Sequence, residues 1–153
     1  MIKVNVLSDE NSWSKRIKKK EKLFSKVCKI FPKKFKFHNK NVYFTLLLSN
    51  NKKIKNLNKK FRKKNKHTDV LSFPFESFRS KSKEIYLGDI IISFNHVDRY
   101  NKLDNKEFEK KTIRIFIHGF LHLLGYDHMN FKDYEKMSKQ ETKLINIVEK
   151  LLY

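Results

Sequence analysis

The stretch from Thr112 to Leu124 most constrains what this chain can become. Ile113, Ile115, Phe116, Ile117, Phe120, Leu121, Leu123 and Leu124 are apolar nearly all the way round a helix, and a helix apolar on every side has to be buried. The rest of the chain must therefore pack around it. Inside this helix sit His118 and His122, four residues apart and so on one face. Gly125 should stop the helix, because glycine enters the left-handed conformation without a Cβ penalty. The chain can then turn and bring His128 back toward the other two.

Three imidazoles converging on one point make a first-row metal site with a coordination position left open, the pattern of catalytic rather than closed structural zinc. A single histidine on an apolar helix is usually a hydrogen-bonded core residue. Three spaced H-x3-H-x5-H around a breaker glycine are hard to reach by chance. The same residues also exclude something. In the zinc-protease pattern H-E-x-x-H-x-x-G-x-x-H the glutamate is the general base. Here Gly119 stands in that position and cannot take a proton.

A hydrophobic fraction of 39% with 14 Phe and 6 Tyr supports one folded domain over residues 1–153. The N-terminus lacks an apolar signal-like region, and no apolar run nears the roughly 20 residues that span a bilayer. A cytoplasmic protein with no membrane partner is the expectation. The one cysteine, Cys28, excludes an internal disulfide and a multi-cysteine metal site, and is expected to be structural. A net charge of +20 favours a polyanionic partner, with nucleic acid ahead of an anionic membrane surface. Only five of the 36 basic residues are arginine, and alanine is absent. That skew is what an AT-rich genome produces, so part of the charge is coding drift.

Residues 2–7 alternate and predict a strand. Trp13, Ile17, Phe24, Val27, Cys28 and Phe31 predict one helix ended by Pro32, with a lysine-rich outer face. Residues 42–48 are near-continuously apolar, the pattern of a central strand. A short helix is expected over about 51–62, strands over 69–75 and 84–92, and a helix from Ser93 to about Asn101. Gly88 inside a strand marks a bulge more often than a substrate contact. Asp104 with Glu107, and Asn130 with Asp133, give start signals for the central and last helices. The last helix carries the stripe Tyr134, Met137, Leu144, Ile145, Val148 and Leu151. The fold expected is α+β: a four-stranded mixed sheet packed with about five helices, the buried central one carrying the metal motif.

Several segments together resemble one family, the bacterial YbeY proteins, which are single-strand-specific, metal-dependent endoribonucleases also called rRNA maturation factors. The matching stretches are Leu57-Asn58 with Phe61-Arg62, then Thr68-Asp69-Val70-Leu71-Ser72-Phe73-Pro74, then Leu87-Gly88-Asp89-Ile90, then residues 118–128. They cover residues 57 to 128 in order. His67 departs from the pattern, which usually has proline before the threonine. His67, His38 and His96 are read as surface or core histidines rather than ligands.

The resemblance implies one zinc ion per chain, held by His118, His122 and His128. It implies a functional role for Arg62 in the active-site cleft. It implies single-stranded RNA as substrate, with ribosomal RNA and the small ribosomal subunit as partners: maturation of the 16S rRNA 3′ end and ribosome quality control. The chemistry agrees, since a divalent ion stabilises charge on phosphoryl oxygens and arginine grips phosphate through two parallel hydrogen bonds. Asp69 could cap a turn, the commoner role, or orient a ligand imidazole. Asp127 is a candidate partner or base, and as readily a plain turn aspartate. Two other readings stay open at this point: a zinc-dependent peptidase-like hydrolase, which Gly119 speaks against, and a non-catalytic ribosome-assembly factor with a structural zinc.

Overall fold

The computed structural model describes residues 1–35, 37, 39–77 and 79–153. Among them the chain forms β1 (Ile2–Ser8), α1 (Ser12–Arg16), α2 (Lys20–Ile30), a single 3₁₀ turn (Lys33–Phe35), β2 (Asn41–Ser49), α3 (Asn51–Arg62), β3 (Val70–Pro74), β4 (Glu84–Ser93), α4 (Phe94–Val97), α5 (Asn105–Leu123) and α6 (Phe131–Leu152). The sheet order is β1-β2-β4-β3. β1 and β4 both run parallel to β2, and β3 runs antiparallel to β4. The near-continuously apolar β2 is an internal strand, as its composition requires. This is the expected α+β mixed sheet, with six α-helices among the described residues rather than about five.

The extra helix comes from a break. The predicted helix over Trp13–Phe31 is two, separated where Ile17 adopts an extended conformation. The two pieces answer to different anchors. Trp13 donates its indole N–H to Ser49 O at 2.9 Å, and Arg16 bonds Leu103 O and pairs with Asp98 at 3.5 Å. α2 instead lies along β1 and α6. Lys15, Lys18, Lys19 and Lys22 would repel at i,i+3 and i,i+4 in a continuous helix, which further disfavours it.

α5 is the buried centre. Phe116 meets Phe24 at 5.0 Å and Phe44 at 5.9 Å between ring centroids; Phe120 meets Phe31 at 4.8 Å and Phe44 at 5.4 Å. Each such pair contributes roughly 0.5–1.5 kcal/mol beyond area burial. Asp104 caps the start of α5 through Glu107 N, and Asn130 caps α6 through Asp133 N. The buried stripe of α6 is Met137, Leu144 and Val148, with Ile145 at its margin. Tyr134 and Leu151 are exposed, contrary to expectation: Tyr134 lies in the first turn, and Leu152 packs where Leu151 was expected. α4 closes after one turn instead of reaching Asn101, whose positive φ of 46° ends any helical path. Cys28 is buried, and burial pushes its thiol up to about 12, so it is an inert core residue. No described helix is long and apolar enough to cross a membrane.

Gly88 does mark a bulge. Tyr43 pairs with Tyr86 but Thr45 pairs with Asp89, so β4 carries one extra residue there. Gly88 has φ of 134°, and a Cβ would lie 2.0 Å from Phe73 O. Gly125 also has positive φ, 91°, but a Cβ there would meet nothing within 4 Å. Gly88→Ala should therefore cost at least about 2 kcal/mol, from strain and a backbone clash together. Gly125→Ala should cost only about 1 kcal/mol. Urea unfolding midpoints of the two variants check the order.

Candidate metal centre

Gly125 sets the geometry of the centre. Its N–H donates to His122 O at 3.0 Å, and Tyr126 N–H donates to Leu121 O at 3.1 Å, which together close a Schellman turn at the end of α5. Tyr126 packs its ring back on the core. The reversal carries His128 beside the helix, where its backbone N–H is held by Asp127 Oδ1 at 2.7 Å. The ligand atoms of His118, His122 and His128 then lie within 4.8 Å of one another. His118 and His122 are half-buried and His128 is exposed, so the cluster opens to solvent on one side.

The donor set suits a metal at the level of individual nitrogens. His118 Nδ1 meets Glu141 Oε2 at 2.8 Å, and His122 Nδ1 meets Tyr126 O at 2.9 Å. Both acceptors fix the proton on Nδ1, so the Nε2 lone pairs turn to the shared point, 3.1 Å apart. The Glu141 carboxylate raises the His118 pKa above its ordinary value. Burial, with His118 and His128 nearby, lowers that of His122. Two Nε2 lone pairs aimed at one point fit a shared divalent ion.

Glu141 was not singled out from the sequence, although a signal exists. It falls between Met137 and Leu144 on the inward stripe of α6, where an acidic residue needs a partner. Glu141→Ala should keep the three ligands but weaken metal affinity by about 10- to 100-fold. A competition titration with a chromogenic chelator measures it.

The missing glutamate at Gly119 has a steric cause. A Cβ there would lie 2.9 Å from Ile90 Cγ2 and 3.2 Å from both Ser72 Oγ and Val70 Cγ2. α5 is pressed against β3 and β4 at this point, and Ser72 Oγ donates to Gly119 O at 2.9 Å. Any longer side chain would be directed into the sheet.

A cleft of about 580 Å³ runs past the histidines. Arg62 lines it, from the end of α3, with Asn58, Asp69, Asp127 and the three histidines His118, His122 and His128. Arg62 Nη2 donates to Ser72 O at 3.0 Å, and its guanidinium carbon lies 5.7 Å from the Phe73 ring centroid. Ser72 thus links Arg62 to the metal helix, through its own carbonyl on one side and Gly119 O on the other. Asn58 Nδ2 holds Lys66 O at 2.9 Å and fixes the loop after α3.

Asp69 accepts from Val70 N at 2.8 Å and Thr68 Oγ1 at 3.2 Å. The Nδ1 partners of His118 and His122 are other groups. Asp127 accepts from His128 N and lies at the cleft rim. His67 and His96 meet each other, Nδ1 to Nε2 at 2.7 Å, apart from the three-histidine cluster. His38 lies outside the described residues.

The family model for Endoribonuclease YbeY matches residues 7–149. Endoribonuclease YbeY of Pelagibacter ubique is 50% identical over 149 residues, covering 97% of this chain and 97% of that one. The protein of the same name from Francisella tularensis subsp. novicida is 38% identical over 113 residues, covering 72% and 70%. Among solved structures, the solution structure of TM1509 from Thermotoga maritima aligns with a TM-score of 0.58 at 27% identity, covering 97% of this chain and 89% of that one.

Proposed function

The chain belongs to the YbeY endoribonuclease family, and from that premise we propose that it cuts single-stranded RNA in the cleft of His118, His122, His128 and Arg62. It is a nuclease acting on RNA, with a role in rRNA processing. The finer reading is 16S rRNA 3′-end maturation and ribosome quality control in the cytoplasm, with the small ribosomal subunit as partner. One zinc ion per chain is the metal that three imidazoles and an open position suit best.

The observation that carries the reading is the paired orientation of the imidazoles: two Nδ1 protons tied back to Glu141 and Tyr126 O, two Nε2 atoms 3.1 Å apart, all on a cleft that Arg62 shares. When bound, a divalent ion supplies Lewis-acid stabilisation of charge on the phosphoryl oxygens. Arg62 holds the phosphate through its planar fork and fixes its approach. Asp69 and Asp127 are the two carboxylates lining the cleft, and so the candidates to accept a proton there. A peptidase would need a carboxylate where Gly119 is pressed against the sheet, so that reading falls away. RNA cleavage by zinc-loaded and by chelated protein tests the proposal. Cleavage only by the loaded form supports it, and equal inertness of both forms would favour a non-catalytic assembly factor.

Capture and chemistry should separate. With a charge of +20, binding proceeds largely by counterion release. With about six phosphate contacts, log K should fall with log salt at a slope of roughly −4 on single-stranded RNA. A salt titration measures it, and a flat response would mean that the charge is coding drift alone.

A further inference from the structure

One face of the sheet is covered by α5 and α2, the other only in part by α3. Strand register arranges that second face in rows. Lys3, Tyr43 and Tyr86 stand side by side across β1, β2 and β4; the next row is Asn5, Thr45, Asp89 and Phe73; the third is Leu7, Leu47, Ile91 and Leu71. α3 closes over the third row with Ile54 and Leu57. The first row stays open. Tyr43 is 44% exposed and Phe75, just after β3, is 76% exposed. Their rings frame Tyr86, with centroids at 5.2 Å from Tyr43 and 6.0 Å from Phe75. The Tyr86 hydroxyl is fixed by Thr45 and Asp89, so its ring is held in place.

Three rings kept on the solvent side of two internal strands and beside the edge strand contribute little to the core. Cations interleave with them: Lys3 opposite Tyr43, Lys53 in the adjoining groove, and Lys60 with its Nζ 5.3 Å from the Phe61 ring centroid. Phe61 in turn meets Phe73 at 5.6 Å, and Arg62 lies over Phe73 while lining the metal cleft. Aromatic and cationic residues therefore run continuously from Tyr43 to the cleft. The carboxylates on this face are already engaged: Asp89 by the Tyr86 hydroxyl, Glu76 by the Tyr86 N–H, and Glu84, in the row beyond Tyr43 and Tyr86, by Asn41 Nδ2 at 2.8 Å.

We propose that this open sheet face is a base-stacking platform for single-stranded RNA. Bases stack on Tyr43, Tyr86 and Phe75, and the backbone passes over the β3 edge along Arg62 into the metal cleft. Single strands fit this surface because their unstacked bases offer faces to aromatic rings, as in other four-stranded sheets that bind RNA. A duplex keeps its bases inside. Selectivity for single strands then arises on the platform, away from the metal. The inference rests on the endoribonuclease reading of the cleft.

The test is steady-state cleavage of an RNA oligomer of about 12 nucleotides by zinc-loaded wild type and by Tyr43→Ala and Phe75→Ala. Both positions are exposed, and melting curves check that the variants fold. Each variant should raise KM by roughly 5- to 100-fold, at wild-type zinc content. Tyr43→Phe and Phe75→Tyr should restore wild-type KM. An abasic oligomer used as competitor removes the bases and keeps the phosphates. Wild type should prefer the base-bearing competitor, and Phe75→Ala should lose much of that preference. If wild type cuts RNA and both alanine variants keep its KM, the platform is overturned while the cleft reading stands. An equal loss of affinity for both competitors would also overturn it. If wild-type protein cuts no RNA, the cleft reading itself fails.

Discussion

His118→Ala, His122→Ala and His128→Ala should each lower zinc content from about one per chain to near zero, and abolish RNA cleavage with it. Each removes one of three imidazoles, and two remaining ligands cannot hold the ion against solvent. The half-buried pair is also coupled: without His118, Glu141 keeps a carboxylate with no imidazole to receive, and His122 loses the neighbour 3.1 Å away. Metal analysis after dialysis reads the result, and full zinc content in all three variants would remove the basis of the assignment. The pH dependence has a definite sign. Metal must displace the Nε2 proton of the imidazolium, while the Nδ1 proton stays with Glu141, and the Glu141 carboxylate raises the His118 pKa. Zinc affinity should therefore begin to fall at a higher pH than for a free histidine, and weaken further as pH drops. In metal-free protein the same raised pKa stabilises the fold. That contribution is fully present below the ordinary histidine value and is lost as pH rises through the folded one.

What the sequence made legible was local. The helical period of residues 112–124, the breaker at Gly125 and the i,i+4 histidines are all contained in thirteen consecutive residues or their neighbours, and each is found in the fold as read. The bulge at Gly88 and the internal position of β2 were legible for the same reason. What escaped depends on contacts between distant segments. The break after Arg16 follows from anchors at Ser49, Asp98 and Leu103, none of which a helical period can show. Glu141 reaches His118 across 23 residues of chain. The need for glycine at 119 reads, from the motif, only as a missing base; the fold shows it as the place where α5 touches β3 and β4. His67 and His96, read from the sequence as separate surface or core histidines, are brought together by the loop before β3 and the short α4.

Arg62→Ala should keep the fold and the metal but lower RNA cleavage by about 10²- to 10³-fold, the scale of losing one preorganised donor at a charged transition state. Two features of its surroundings argue for a role beyond surface charge. Among the described residues its hydrogen-bond acceptor is a neutral carbonyl, Ser72 O, so its charge is not spent on a carboxylate. That carbonyl belongs to the residue whose hydroxyl also grips Gly119 O, between the two ligand histidines. The guanidinium is thereby held in register with the metal helix while its remaining N–H groups can meet a phosphate. Arg62→Lys should rescue poorly, because an ammonium is a point charge and cannot both bond Ser72 O and fork onto a phosphate. Zinc content and the urea midpoint should match wild type in both variants, since Arg62 is exposed and touches no ligand nitrogen. If the alanine variant cleaved RNA at the wild-type rate, the cation required at the scissile phosphate would have to be sought elsewhere in the cleft, where Lys64 and Lys66 are the remaining cationic side chains.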